Sequence, residues 1–231
     1  AASRELDELR RKALGQFMTP APIAAFMASL FDIRNPVRLL DAGAGVGSLT
    51  AAFFDRLLAL KIDGTAECWE IDPGLAEYLS ATLTRYAEQG ESRGVAIKAR
   101  LHRDDFIEQT VLNLGLRSGM RFTHAILNPP YKKLASDSTH RLLLRKAHIE
   151  TVNLYSAFVA LGIFLLEPGG QMVAIIPRSF CNGPYYRAFR TLMLAQCAIR
   201  RIHLFESRRK AFADDEVLQE NLILHLVKGG C

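Results

Sequence analysis

An α/β fold, with a doubly wound, seven-stranded, mainly parallel sheet and helices on both faces, is predicted by three features of the 231-residue sequence. Short apolar runs alternate with amphipathic stretches, the order expected of βαβ units. A glycine-rich turn, Asp41-Ala42-Gly43-Ala44-Gly45-Val46-Gly47, follows the first apolar run and opens a helix. Hydrophobic residues make up 49% of the chain and charged residues 23%, with sixteen glycines and nine prolines spread along it. That is material for one sizeable core without a low-complexity linker. Residues 1–231 are therefore read as a single domain, with 1–30 as an N-terminal helical segment.

The elements follow in order. Thr19 can cap a helix whose first turn holds Pro20, and Ile23, Phe26, Met27 and Leu30 then share one apolar face. The first strand is expected at Val37 to Leu40, followed by the glycine turn and a helix from Ser48 to about Leu60. A strand at Ala66 to Ile71 ends at Asp72-Pro73, and the next helix carries Leu75, Tyr78, Leu79 and Leu83. Further strands are expected at Val95 to Leu101, Thr123 to Leu127 and Met172 to Ile176. A helix at Tyr185 to Leu194, a strand at Ile199 to Phe205 and a last strand at Leu218 to Val227 complete the reading. Ligands of such a sheet sit beyond the carboxyl ends of the strands, near the point where strand order reverses.

Composition narrows the classes. Cys68, Cys181, Cys197 and Cys231 form no C-x-x-C pair and have no histidines at ligand spacing, so neither a metal site nor a disulfide framework is indicated. No apolar run approaches the roughly 20 residues of a membrane-spanning helix, and Ala1 to Arg11 is too charged for a signal peptide. A cytoplasmic protein is expected. The net charge of +5 favours a polyanionic partner. Basic residues gather at Lys132-Lys133, Arg141 to Lys146, Arg200-Arg201 and Arg208-Arg209-Lys210; on one rim these would track a phosphate backbone, and otherwise they are solvated surface.

The glycines Gly43, Gly45 and Gly47 let a ligand approach the backbone, but their G-x-G-x-G spacing is not that of a dinucleotide fingerprint. Asp41, immediately before them, would repel a pyrophosphate and suits a cationic ligand. These residues resemble the first motif of class I S-adenosylmethionine-dependent methyltransferases. The resemblance implies a Rossmann-like fold, S-adenosylmethionine as cofactor, and a role for Asp41 in placing its methionine part. It also implies that Glu70 accepts hydrogen bonds from the ribose hydroxyls, with Ile71 beside it in the cofactor site. Asp105, or Asp104 in its place, would accept from the adenine amino group, and Phe106 would touch the ring.

Asn128-Pro129-Pro130-Tyr131 closes the fourth strand. Two prolines fix the backbone and remove two donors, so neighbouring carbonyls stay available to accept hydrogen bonds from outside the protein. An exocyclic amine is a poor nucleophile because its lone pair is delocalised. If the Asn128 side-chain oxygen and the Pro129 carbonyl each accept one N–H, the nitrogen moves towards sp³ geometry and its lone pair can face an activated methyl group. Tyr131 would stack on the flat face of the substrate, which in duplex DNA requires a flipped base.

The Asn-Pro-Pro-Tyr motif is shared by adenine-N6 DNA, guanine-N2 rRNA and protein-glutamine methyltransferases, and a non-catalytic cofactor- or DNA-binding module is the remaining alternative. Gly15-Gln16-Phe17-Met18-Thr19-Pro20 resembles the cofactor motif of gamma-class DNA adenine methyltransferases, which brings Gln16, Phe17 and Thr19 into the cofactor set, Thr19 towards the methionine carboxylate. Residues 205–221 resemble restriction-modification methyltransferases of the PstI and Eco57I type, in which an aromatic closes the target pocket; Phe212 takes that place. Double-stranded DNA is the implied partner, with Lys132 and Lys133 at the substrate, no metal, and residues 132–150 as a mobile loop. A target-recognition domain, which full-length members of the family carry, is not found in this chain, so a further domain or subunit is expected to supply it.

Overall fold

The computed structural model describes residues 19–34, 36–115, 119–205 and 220–229. Its strands are β1 (Val37–Ala42), β2 (Gly64–Trp69), β3 (Ile97–His102), β4 (Phe122–Leu127), β5 (Leu166–Pro177), β6 (Cys197–Leu204) and β7 (Asn221–Lys228), in one sheet ordered β3-β2-β1-β4-β5-β7-β6. Among the described residues β7 alone runs against its neighbours, pairing antiparallel with both β5 and β6. Strand order reverses between β1 and β4. These two pair only at Leu39 with His124 and Leu40 with Ala125, so the ladder stops before Asp41 and Asn128 and the strand ends part.

Alternation along the strands sorts side chains onto two faces. Leu39, Ile126 and Val173 join a core with α1 (Ala21–Ser29), α2 (Ser48–Leu60) and α3 (Pro73–Ser92), through Met27, Phe53 and Leu79. Leu40, Leu127 and Met172 point the other way. They pack with α4 (Phe106–Gly115), α5 (Thr139–Lys146), α6 (Leu154–Leu165) and α7 (Arg187–Gln196), through Ile107, Leu144, Phe158 and Met193. The central strand β4 is buried at every residue, as a parallel strand covered on both faces must be.

Most predicted strands and helices recur within a few residues, and the differences have physical causes. Helix α1 starts one residue later than the Thr19 cap implies: Pro20 occupies the cap position, and no side chain caps the helix. Strand β5 begins at Leu166 rather than Met172. Phe122 pairs with Leu166 and His124 with Gln171, so a register shift absorbs Glu167 to Gly170 within the strand. Strand β2 stops at Trp69 because Glu70 turns its carboxylate to the glycine turn. Helices α4, α5 and α6 were not delineated from sequence. In α6 nearly every residue is buried, so no amphipathic period marks it. Helix α5 lies within the segment expected as a loop, and a Lys133–Asn153 bridge ties that segment's ends.

His124 sits in the core against the Phe31 and Phe53 rings, both at 5.4 Å, with Nδ1 2.8 Å from Thr123 Oγ1. Burial pushes its pKa down to about 4. The unfolded chain takes up a proton near the ordinary pH of about 6.5, and the folded chain resists until about 4, so acidification through this window favours unfolding. Wild type is expected to lose about 3 kcal/mol more stability than His124→Gln between pH 7 and pH 4, read from urea unfolding at each pH; parallel curves would remove His124 as the cause.

Candidate functional site

At the parted ends of β1 and β4 the chain turns through three glycines in the left-handed region, Gly43, Gly45 and Gly47, with φ of 72°, 58° and 86°. Gly43 and Gly45 line a cavity, and a Cβ on Gly45 would meet nothing within 4 Å, so that backbone faces open space. Gly47 starts α2 and packs inward, where a Cβ would lie 2.8 Å from Leu79 Cδ1.

Glu70 holds this turn. Its Oε2 accepts from the Gly45 N–H and its Oε1 from the Asp72 N–H, each at 2.8 Å. Burial raises its pKa, and these N–H bonds oppose the rise. Asp72 in turn caps α3, accepting from Gly74 and Leu75. Asp41 is fully buried, with one oxygen accepting from Thr50 Oγ1 at 2.6 Å and the other, Oδ1, without a partner among the described residues. Burial pushes Asp41 up to about 7, against the Thr50 hydrogen bonds.

The far wall is built by the loop after β3. Phe106 is buried edge-on against Trp69, at 5.4 Å, and Asp105 faces the same cavity, as does Asp104. Ile71 is exposed at the rim. Trp69 stacks on His102 at 4.1 Å, and its buried Nε1 has no partner among the described residues.

Asn128 and Pro130 form the third wall. By alternation Asn128 continues the face of Ile126, towards the start of α1, where its Nδ2 donates to Thr19 Oγ1 at 2.9 Å. Its Oδ1 accepts from the Tyr131 hydroxyl at 3.1 Å, and that hydroxyl is also 3.3 Å from the Ile175 carbonyl. Tyr131 is half-buried, Pro129 is buried, Lys132 reaches the cavity and Lys133 is exposed beside it. Thr19 thus bonds to the Asn128 side chain rather than capping α1.

A wider groove, of about 620 Å³ against about 250 Å³ for this cavity, opens at the other end of the central strands. Three of its charged residues are paired, Arg34 with Asp32 and Glu167 with the neighbouring Arg38, and it lies away from the carboxyl ends where such sheets bind ligands. Arg200 lines that groove, so it does not share a rim with Lys132, while Arg141 and Arg145 pair with Glu150. Gln16, Phe17, Phe212 and the Arg208 to Lys210 cluster lie outside the described residues.

The family model described as Eco57I restriction-modification methylase matches residues 70–212, more than half of the chain. The chain belongs to the Eco57I restriction-modification methylase family. It is 54% identical over 229 residues to the Type II methyltransferase M.BsuBI of Bacillus subtilis and 45% identical over 234 residues to M.PstI of Providencia stuartii. These matches cover 95% and 99% of this chain but 44% and 46% of the relatives, so the chain spans less than half of their length. The fold is shared with the methyltransferase subunit of a type I restriction-modification system from Streptococcus thermophilus, at a TM-score of 0.69 and 20% identity, over 92% of this chain and 45% of that one. No helix among the described residues is long and apolar enough to cross a membrane.

The cavity of this methylase-family chain fits S-adenosylmethionine. The buried Asp41 oxygen just before the glycine turn, without a partner among the described residues, is an acceptor suited to a cationic ligand. Each Glu70 oxygen accepts one N–H, and a carboxylate can take about four hydrogen bonds, which leaves capacity for a diol. Asp105 and Phe106 offer an acceptor and an apolar surface at the opposite end. Trp69 is the single tryptophan of the chain, so its emission reports on this cavity. Titration with S-adenosylhomocysteine is expected to change that emission saturably, and Trp69→Phe to lose the signal. Calorimetric binding with unaltered emission would place the ligand elsewhere.

Proposed function

We propose that the protein is a DNA methyltransferase that uses S-adenosylmethionine and methylates N6 of a flipped-out adenine. The observation that carries this reading is Asn128, whose amide stands at the carboxyl end of β4 on the wall of the cavity formed over Gly43 and Gly45. The Type II methyltransferase relatives, aligned over nearly the whole chain, support DNA as the substrate.

The bound cofactor supplies an electrophilic methyl group. The protein's task is to make an amino nitrogen reactive and aim it. Asn128 Oδ1 and the Pro129 carbonyl accept the two amino hydrogens and stabilise the positive charge that grows on nitrogen, an effect for which loss of one such group typically costs on the order of 10²-fold or more. Thr19 steadies the amide from behind through Nδ2. Burial pushes the Tyr131 phenol up, so its hydroxyl stays protonated and acts as a donor, not a base. Its ring supplies a stacking face for the base, and after transfer the proton leaves to water. Lys132 and Lys133 would meet the phosphate backbone. Sequence recognition is assigned to a further domain or partner subunit, as the longer relatives suggest.

In the full-length protein, Asn128→Ala is expected to lower methyl transfer into DNA by at least about 10²-fold while S-adenosylhomocysteine still binds. Label entering RNA or a protein glutamine with DNA untouched would sink the DNA reading.

A pH dependence follows from Asp41, which takes a cationic ligand in its ionised form. Below about 7 a proton competes for the carboxylate. Cofactor affinity is expected to be level above that pH and to weaken by up to about tenfold per unit below it, with Asp41→Asn flattening the profile. An unaltered slope in the variant would assign the titration to another group.

A further inference from the structure

His140, on α5, was not singled out by the sequence, yet it reaches into the cavity. Its Nε2 stands 3.0 Å from Asp105 Oδ2, across 35 residues of chain. The other carboxylate oxygen, Oδ1, accepts the Glu108 N–H at 2.9 Å at the start of α4. One oxygen held by a backbone N–H would leave the carboxylate able to swing; held at both, it has a set orientation.

We propose that His140 is a positioning residue for the cofactor: it fixes the Asp105 carboxylate towards the adenine end of the cavity, and so makes the helix that follows the Asn128–Tyr131 turn a part of the cofactor site. This rests on the reading of Asp105 as the acceptor of the adenine amino group. An amino group donates more strongly to an ionised carboxylate than to a neutral acid. The surroundings keep it ionised. Burial works against the charge of Asp105, but the His140 and Glu108 hydrogen bonds outweigh it and hold the carboxyl below its usual range. The hydrogen bond to Asp105 raises His140 in turn, against its own burial. Glu108 also faces the ring, with the three side chains' polar atoms all within 4.8 Å of one another. Lys132 and Asp104 line the same cavity, and Arg141, the next residue on α5, is directed to Glu150.

If His140 acts through Asp105, their effects cannot add. S-adenosylhomocysteine affinity is measured for wild type, His140→Ala, His140→Gln, Asp105→Asn and the Asp105→Asn/His140→Ala double variant. His140→Ala is expected to weaken binding about tenfold, the loss of a hydrogen bond to a charged group, and His140→Gln, which keeps a donor, to recover most of it. The double variant is expected to bind no worse than Asp105→Asn. In the full-length protein at saturating cofactor, kcat of His140→Ala should match wild type, so the change appears in KM for the cofactor alone. Unchanged affinity in His140→Ala, additive losses in the double variant, or a fall in kcat at saturation would each overturn the proposal. Should wild type itself fail to bind, the cofactor reading beneath it falls as well. Should His140→Ala not fold, the Gln variant and Asp105→Asn still decide: a Gln variant no better than Asp105→Asn overturns it.

Discussion

The site depends on one buried carboxylate. Glu70 takes the Gly45 N–H on one oxygen and the Asp72 N–H on the other, so the turn after β1 and the end of β2 are joined through a single side chain. A charge held out of water is costly unless hydrogen-bonded, and here the two backbone donors provide that compensation. Both neighbouring helices inherit their placement from it. Asp72 caps α3, Gly47 opens α2, and the missing side chain at Gly47 admits Leu79 of α3. The floor and one wall of the cavity are therefore one mechanical unit.

The cavity exists because the sheet parts where its strand order reverses. Beyond Leu40 and Ala125 the β1–β4 ladder ends, and the polar residues that follow are freed for other partners. Alternation then decides which partners. Asp41 lies on the face of Leu39 and finds Thr50 on α2; Asn128 lies on the face of Ile126 and finds Thr19 before α1. A shift of one residue in either strand would bury these groups against Phe158 and Phe106 on the opposite face and separate the Asn128 amide from the glycine turn.

Legibility in the sequence followed how local each feature is. The glycine turn, Glu70 and the Asn128–Tyr131 motif sit at strand ends, where short apolar runs stop at polar residues, and Gly43, Gly45, Glu70, Asn128 and Pro130 line one cavity. Helix α6 was invisible because it is apolar on all sides, and β5 starts earlier than expected because a register shift carries Pro168, Gly169 and Gly170 inside the strand. The contact of Thr19 with Asn128 could not be read, since an N-cap and a brace for a side chain 109 residues away use the same hydroxyl. His140 gave no signal at all: its meaning comes only from the packing of α5 on α4.

Two long-range contacts cross in this site. Thr19, from ahead of the glycine turn, holds the Asn128 amide proposed to face the substrate, and His140, from beyond the Asn128–Tyr131 turn, holds the Asp105 carboxylate proposed to face the cofactor. On the proposed roles, each half of the reaction is braced by a segment belonging to the other. On that reading, any effect of DNA on cofactor affinity carried through these braces must be matched, by thermodynamic linkage, by an equal effect of the cofactor on DNA affinity. A rigid sheet end with independent pockets would give no such reciprocity.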